Sequence, residues 1–424
     1  MRRYARRFGL AACCLWLAGC TVGTQPRQEV RRVRLDRSFG DRGLIALNDG
    51  RSRGSVVRHA TDGSVFVGGV TIPQREQGYD WVLMKFTEHG DAYRSYNANV
   101  AVELKGWGGS IDDVAVMADG AVLVAGDRAR PGKGPQAVLV RFTREGRIDR
   151  RFGRSGVLSV HLEGGLGPNV RLFRLGDGSV LVTRYQFRHP NDRFDVFRID
   201  ARGRRESALS RRTRLPTIGH PSLAVDARGR LVGAETDSPQ GVIQVFRLDD
   251  KGHLDEQFGR RATHALRRFV AGVPPQYRGV DGMAIDGDGG IVIVLGTWHG
   301  DAKLVRLLDD GAVDQDFASG DELDLNGVVL DLATDPAGGT VVTGVAGNAY
   351  PSYLLRARPD GRPDRRFGSR EQSYASAIDV GAEYVLAEGL DVDGSGRILV
   401  TGSRQAYPMG DDDERLFVAR YLIL

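Results

Sequence analysis

The sequence predicts an all-β protein, a seven-bladed β-propeller of four-stranded blades that is closed by an N-terminal strand pairing with the last blade. Three observations support this prediction. A short aromatic motif recurs at intervals of roughly 50 to 60 residues, which is typical of propeller units. A tight turn and an apolar run recur between successive copies. The chain also stops where a further copy is due, and its N-terminal part supplies that copy.

The recurring motif, called here the corner motif, places an acidic residue three positions before an aromatic residue that is followed by a small one. The clearest copies are Leu35-Asp36-x-x-Phe39-Gly40, Ile148-Asp149-x-x-Phe152-Gly153, Leu254-Asp255-x-x-Phe258-Gly259, Val313-Asp314-x-x-Phe317-Ala318 and Pro363-Asp364-x-x-Phe367-Gly368. Weaker copies at Tyr93-x-x-Tyr96-Asn97 and Glu206-x-x-Leu209-Ser210 complete a set of seven. Asn97 still tolerates the left-handed backbone expected at the glycine position.

Each interval between corners contains the signals of four short strands, named a to d. Strands a and b are joined by a turn such as Asp62-Gly63 or Asp119-Gly120, and Asp-Gly between apolar runs is a strong hairpin signal. Strand c, for example Val82–Phe86, leads into the corner, and strand d follows it, as at residues 157–162. No sustained helical period is recognised after residue 20.

The two ends of the repeat array complement each other. The last unit ends after a c strand, without a corner or a d strand. Both missing parts are present near the N-terminus as Leu35–Gly40 and Leu44–Leu47. Pairing of this N-terminal strand with the last sheet would remove the exposed edges that an open array leaves.

This combination of corner and hairpin resembles the delta-60 repeat of bacterial exported and surface proteins. The resemblance covers about residues 35–424 and implies a propeller, without implying a known chemistry. The weak copies at Tyr93 and Glu206 depart from the repeat and put the local corner geometry in doubt.

The N-terminus predicts an exported lipoprotein. Arg2, Arg3, Arg6 and Arg7 precede a short apolar stretch, as in a signal peptide. Leu17-Ala18-Gly19-Cys20 resembles a bacterial lipobox, which implies cleavage before Cys20 and a covalent diacylglycerol and acyl group on its sulfur. The predicted organisation is a signal peptide at 1–19, a lipidated tether at 20–33 and the propeller at 34–424. Thr21 does not provide an Asp retention signal, which favours the outer membrane of a Gram-negative cell.

Charge and cysteine content limit the partners. The formal net charge is +5, and the arginines of the predicted signal peptide account for most of it. The charge of the mature chain therefore gives no reason to expect a nucleic-acid partner. All three cysteines lie at or before Cys20, which leaves no disulfide or thiolate metal site in the mature chain. No other cofactor is expected, and the chain is expected to be a monomer.

The predicted contact face lies on the long, dissimilar b–c loops and the longer d–a segments, because variable loops on a rigid scaffold usually carry binding. Aromatic residues are common interface anchors, although each of these side chains has the alternative of packing beneath its own loop. The candidates are Tyr79, Trp81, Trp107, Tyr185, Phe187, His189, Trp298, His299, Tyr350 and Tyr407.

Signals for catalysis or metal binding are weak. Asp391, Asp393 and Ser395 match the opening of a calcium loop, but the later glutamate is missing, and the same segment fits an ordinary a–b turn. Glu388, Asp391 and Asp226 are the acids best placed to act in a hydrolase.

We therefore expect a non-catalytic binding or scaffold module in the cell envelope, with an envelope protein or polysaccharide as its partner. Whether the chain is an enzyme stays open. One alternative is a propeller hydrolase or lyase that acts on envelope carbohydrate or lactone. The other is an accessory factor for outer-membrane assembly.

Overall fold

The computed structural model describes residues 33–47, 50–72, 78–130, 133–160, 166–187, 193–206, 221–237, 242–249, 251–269, 279–296, 302–317, 327–345, 352–365, 367, 375–405 and 414–423. The predicted signal peptide, Cys20 and the tether up to residue 32 lie outside this set. Val33, the last residue of the predicted tether, is buried in the core. None of the helices in the described part is long and apolar enough to cross a membrane.

The described chain begins with two short strands and continues into the first three sheets. The initial strands are β1 (Arg34–Leu35) and β2 (Leu44–Ala46). Sheet I contains β3 (Arg51–His59), β4 (Val65–Ile72) and β5 (Asp80–Phe86), and helix α1 (Arg94–Leu104) follows it. Sheet II contains β6 (Ile111–Val116), β7 (Val122–Arg130), β8 (Lys133–Phe142) and β9 (Val157–Ser159). Sheet III contains β10 (Leu166–Arg174), β11 (Val180–Phe187) and β12 (Arg193–Ile199).

Four more sheets complete the described chain. Sheet IV contains β13 (Ser222–Val225), β14 (Leu231–Asp237) and β15 (Val242–Leu248), and helix α2 (Glu256–Phe269) follows it. Sheet V contains β16 (Gly279–Ile285), β17 (Ile291–Gly296) and β18 (Ala302–Leu307). Sheet VI contains β19 (Val328–Thr334), β20 (Thr340–Val345), β21 (Ser352–Ala357) and β22 (Ala375–Ala377). Sheet VII contains β23 (Tyr384–Val392), β24 (Ile398–Gln405) and β25 (Arg415–Leu422), together with β1 and β2.

The prediction of an all-β chain of small antiparallel sheets is confirmed. Each sheet runs in chain order from its first strand, here called the inner strand, through the middle strand to the third. The hairpin turns between inner and middle strands contain glycines with positive φ, such as Gly63 and Gly120. Only glycine adopts this backbone without a steric cost, which is why the Asp-Gly signal located these turns.

The N-terminal strand pairs with the C-terminal one. Leu44, Ile45 and Ala46 face Ala419, Val418 and Phe417 in antiparallel register, and Arg34 faces Leu422. The side chain of Asp36 accepts a 2.8 Å hydrogen bond from Arg420 Nε at the same place. Two ends of the chain that are far apart in sequence therefore share one sheet.

The core consists of apolar clusters between successive sheets. One cluster joins sheets I and II, and corresponding clusters join every later pair of neighbours. A further cluster joins sheet VII to sheet I, with Leu399 and Val418 on one side and Val57 and Val67 on the other. The corner aromatics Phe39, Phe152 and Phe367 are fully buried in these clusters, so the corner motif is a packing device.

The fourth strand is not uniform, which corrects the expectation of four-stranded units without helices. After the third strand, sheets I and IV continue into α1 and α2. Tyr96, Val100 and Leu104 of α1 are buried at a spacing of four residues, as are Phe258, Ala262 and Leu266 of α2. This is the period of one helix face, and it was missed because each stripe begins at a corner aromatic.

The expected left-handed backbone at Asn97 is also corrected. Asn97 lies within α1, and its side chain accepts a 2.8 Å hydrogen bond from Lys85 N and donates one of 3.1 Å to Lys85 O. Its amide thus satisfies the backbone of β5 in the way that a neighbouring strand would. At the stronger corners, Gly40 and Gly153 do have positive φ.

Candidate functional site

Three aromatics of the predicted contact face are buried and do not form a surface. Trp81 and Trp107 are 4% and 7% exposed, and their ring centroids lie 5.6 Å apart in the cluster between sheets I and II. Trp81 Nε1 donates a 2.7 Å hydrogen bond to the Asp127 carbonyl. Tyr185 is 3% exposed in the cluster between sheets III and IV. These three side chains pack the fold, which was the alternative interpretation of each.

The other members of that face are divided between the surface and the undescribed loops. Tyr79 is 56% exposed and lies immediately before β5. Phe187 ends β11, and its side chain lies outside the described set. His189, Trp298, His299, Tyr350 and Tyr407 also lie outside the described residues.

The carboxylate oxygens of the weak calcium-loop candidate accept hydrogen bonds from the protein itself. Asp393 Oδ1 accepts 2.9 Å hydrogen bonds from the backbone N–H groups of Ser395 and Arg397, and Arg397 Nε donates to Oδ2 at 2.5 Å. Asp391 Oδ2 accepts a 2.6 Å bond from His59 N in sheet I. These oxygens already have protein donors, so the segment is built as a turn and an inter-sheet contact. Across the described residues, no three His, Cys, Asp or Glu side chains are grouped to hold a metal.

The remaining acidic candidates are also held by arginines. Glu388 Oε1 accepts a 2.6 Å hydrogen bond from Arg53 Nη2, although burial raises the pKa of Glu388 above its ordinary value. Asp226 accepts a 2.6 Å bond from Arg230 Nε and two backbone N–H groups of its turn. The structure does not bring Glu388, Asp391 and Asp226 together as a pair of free carboxylates.

A cavity of about 790 Å³ lies between the inner strands of sheets III and IV and is called here the junction cavity. Arg171, Phe173 and Leu175 line it from sheet III, and Leu223 and Val225 from sheet IV. The inner strands of sheets I, II, V and VI contribute Arg58, Asp113, Asp281 and Asp331. The lining combines apolar side chains with several charged groups, and a cavity of this volume is large enough for a small molecule.

Most of the charged groups in this cavity already have partners. Arg58 Nη2 donates a 2.7 Å hydrogen bond to Asp113 Oδ1. Asp331 accepts bonds from Leu332 N at 2.9 Å and Leu390 N at 2.8 Å. By contrast, Arg171 and Arg174 are exposed, and within the described residues neither side chain makes a hydrogen bond or an ion pair. These two guanidinium groups are therefore the cations of the lining without a direct partner among the described residues, while the charge of Arg171 also acts on Asp331 and Asp112.

Burial sets the protonation behaviour of the acids around the cavity. Desolvation raises the pKa of Asp281 to about 6, against a hydrogen bond from Val329 N that lowers it. Burial likewise raises the pKa of Asp331, opposed by the charges of Arg58 and Arg171. Asp281 thus keeps its proton to a higher pH than an ordinary aspartate, and its repulsion of an anion weakens as the pH falls toward 6.

A second cavity of about 480 Å³ lies between α2 and β15 and is lined by Gln244, Phe246, Thr263, His264 and Arg267. It faces the third strand of sheet IV. Thr263 Oγ1 accepts a 3.0 Å hydrogen bond from Val245 N there, so the helix satisfies part of the strand edge. The polar groups of this groove serve, at least in part, to attach α2 to the sheet.

The junction cavity was missed in the sequence because its key residue, Arg171, resembles any other arginine of an arginine-rich chain. The signal becomes visible only when the sheets are aligned on the basic residue of their third strands. The aligned positions are Lys85, Arg141, Arg198, Arg247, Arg306, Arg356 and Arg420.

No protein-family model and no curated protein matches the sequence. Among solved structures, the chain is similar to the polysaccharide lyase Uly1, with 10% identity and a TM-score of 0.46 over 88% of this chain and 90% of that one. The propeller domain of the Trilobed protease from Pyrococcus furiosus, described as having an open velcro topology, gives 11% identity and a TM-score of 0.38 over 72% and 93%. Prolyl oligopeptidase B from Galerina marginata gives 8% identity and a TM-score of 0.45 over 85% and 49%.

Proposed function

We propose that residues 34–424 form a closed seven-bladed β-propeller that serves as a ligand-binding module without catalytic activity of its own. Two features support closure. Leu44–Ala46 pairs with Phe417–Ala419 in the last sheet, and an apolar cluster joins sheet VII to sheet I. In this arrangement the inner strands surround a central channel, and the junction cavity opens at one of the seven boundaries.

The single observation that carries the binding proposal is the composition of the junction cavity. Its apolar walls come from β10 and β13, and the acids around it are engaged as hydrogen-bond acceptors. Arg171 and Arg174 remain available. Such a site can hold a ligand, but it supplies no pair of unengaged acid and base groups for proton transfer.

In this proposal the module is exported and held at the outer membrane by lipid on Cys20. The basic start, apolar stretch and lipobox-like Leu17–Cys20 segment support this part of the proposal. Cys20→Ser should abolish incorporation of labelled fatty acid and move the protein from the membrane to the soluble fraction. Unchanged membrane attachment of the Cys20→Ser protein would contradict it.

A fluorescent reporter at Gly176 tests binding at the cavity. A Cβ at Gly176 meets nothing within 4 Å, and the same holds at Gly394, which occupies the equivalent turn of sheet VII. Full-length chain with Cys13, Cys14 and Cys20 replaced by serine would carry either Gly176→Cys or Gly394→Cys, labelled with an environment-sensitive dye. We expect at least one soluble envelope glycan or small metabolite from a fractionated extract to give a saturable signal at position 176 only.

The same titration separates the proposal from its alternatives. A lack of response at position 176, or equal responses at the two positions, would contradict binding at the junction cavity. New reducing ends or other products appearing with time would favour the hydrolase or lyase. Stoichiometric crosslinking in cells from Tyr79 to one membrane protein would favour the outer-membrane assembly role.

A further inference from the structure

Arg171 occupies a position that carries an aspartate in two other sheets. In each sheet the basic residue of the third strand pairs, through the middle strand, with one residue of the inner strand. The residue two positions earlier is Asp113 in sheet II, Arg171 in sheet III and Asp331 in sheet VI. The ladder register thus identifies these three as equivalent.

The two aspartates attach their sheet to the next one. Asp113 Oδ2 accepts a 2.9 Å hydrogen bond from Leu172 N of sheet III, and Asp331 Oδ2 accepts one of 2.8 Å from Leu390 N of sheet VII. An arginine has no acceptor atom and cannot make this contact. In the described chain, no hydrogen bond joins β10 directly to β13.

The missing contact coincides with the opening of the cavity. Within the described residues, β10 and β13 approach each other at fewer positions than any other pair of neighbouring inner strands. Phe173 and Leu175 on one side face the gap together with Leu223 and Val225 on the other. Arg171 therefore removes an attachment between sheets and adds a cation to a cavity that the apolar side chains of both strands also line.

From this geometry, and on the basis of the binding function proposed above, we propose that the junction cavity binds a carboxylate attached to a ring. Arg171 pairs with the carboxylate, since a guanidinium presents two parallel N–H groups to it. The ring lies between the apolar side chains of β10 and β13. The shared chemistry is a planar anion on a ring with an apolar face, as in acidic sugars and in aromatic acids.

The test uses the full-length Gly176→Cys reporter described above with matched pairs of ligands. Glucuronate and glucose form the sugar pair, and benzoate and benzyl alcohol form the aromatic pair. We expect the carboxylate of at least one pair to bind about 10-fold or more tightly than its neutral partner, which corresponds to losing one charge-assisted hydrogen bond. Which pair responds distinguishes the two sources of the ligand.

Substitutions at Arg171 complete the test. Arg171→Gln should weaken carboxylate binding about 10-fold or more, while Arg202→Gln, on an exposed turn of the same sheet, should leave it unchanged. Arg171→Asp should abolish carboxylate binding, because it replaces the cation with a charge of the ligand's own sign, and its unfolding temperature is measured beside that of Arg171→Gln. The unfolding measurement also shows that the variant is folded.

Two results would overturn this inference, and only the second would also overturn the proposed binding function. If neutral and carboxylate ligands bind equally, or if Arg171→Gln binds like the wild type, the anion contact is wrong while the cavity remains a binding site. If no ligand of any kind gives a signal at position 176, the proposed function fails as well.

Discussion

At the scale of single residues, one basic side chain of the third strand connects three parts of the repeat in several sheets. Arg356 is buried, and its Nε and Nη1 donate to Asp335 of the hairpin turn at 2.5 Å and to Asp364 of the corner at 2.7 Å. Arg306 is placed in the same way between Asp286 and Asp314. The guanidinium of Arg247 also lies 4.0 Å from the ring centroid of the corner Phe258. Turn, strand and corner are thus fixed to one another by one side chain.

Removing this cation should be costly. Arg356→Met leaves the buried carboxylates of Asp335 and Asp364 without their counter-charge, so we expect the free energy of unfolding to fall by about 3–5 kcal/mol. Arg358→Met is the control, since Arg358 pairs with Asp360 while both are 40% or more exposed, and we expect it to cost less than about 1 kcal/mol. Urea unfolding of both variants measures the difference, and equal losses would contradict the structural role of the buried ion pairs.

Asp281 should make the folded protein less stable as the pH rises. Burial raises its pKa to about 6, so the folded state binds more protons than the unfolded state in weak acid. Stability is then lost as the pH rises from about 4 through 6. We expect Asp281→Asn to stabilise the protein by about 1–3 kcal/mol at pH 7.5 and to have little effect at pH 4. A destabilised Asp281→Asn protein at pH 7.5 would contradict a desolvated carboxylate at this site.

At the scale of elements, two helices take the position after the third strand in sheets I and IV. Each presents its stripe of buried side chains to a neighbouring sheet cluster. Each also satisfies a backbone group of the third strand by a side chain, Asn97 in α1 and Thr263 in α2. A helix can replace the outer strand here because the polar edge of the sheet still receives hydrogen bonds.

Asn97→Ala tests this replacement. The loss of two hydrogen bonds to the Lys85 backbone should lower the free energy of unfolding by about 1–3 kcal/mol and accelerate hydrogen exchange at the Lys85 amide. Asn99→Ala removes one exposed hydrogen bond to the Glu145 carbonyl on the same helix, and it should leave exchange at Lys85 unchanged. Slow exchange at Lys85 in the Asn97→Ala protein would contradict the edge-covering role.

The elements also show how far the sequence could be interpreted. Hairpin turns and third strands were predictable because glycine at positive φ and alternating apolar residues leave local signals. The helices were not, since Tyr96 and Phe258 satisfied the corner motif and the helical period at once. The buried state of Trp81 and Trp107 follows from contacts between different sheets, which local composition does not contain.

At the scale of the whole molecule, neighbouring inner strands are attached in different ways around the array. Ser55 Oγ donates a 2.8 Å hydrogen bond to the Ile111 carbonyl between sheets I and II, and Asp391 accepts from His59 N between sheets VII and I. Among the described residues, no hydrogen bond of this kind joins the inner strands of sheets III and IV, and the cavity lies at that boundary. The candidate site could not be predicted from the sequence. It depends on a hydrogen bond between β10 and β13 that an arginine at position 171 cannot accept, and β13 lies about 50 residues further along the chain.

Closure by the N-terminal strand is the claim on which the ring, its channel and the position of the cavity all depend. Leu44 and Ala419 face each other, while the hydrogen bonds flanking them join Gly43 to Arg420 and Leu47 to Leu416. Leu44 and Ala419 thus form a non-hydrogen-bonded pair, in which side chains stand close enough for a disulfide.

The most direct measurement is disulfide formation in full-length Leu44→Cys/Ala419→Cys protein that lacks the three N-terminal cysteines. We expect it to oxidise completely in air and to gain about 4–5 kcal/mol in the free energy of unfolding, because the bond closes a very long loop. In the control pair Ile45→Cys/Ala419→Cys, the shift of one residue points the side chains to opposite faces, and the thiols should stay free. Free thiols in the Leu44→Cys/Ala419→Cys protein, or equal oxidation of both pairs, would contradict the closed ring.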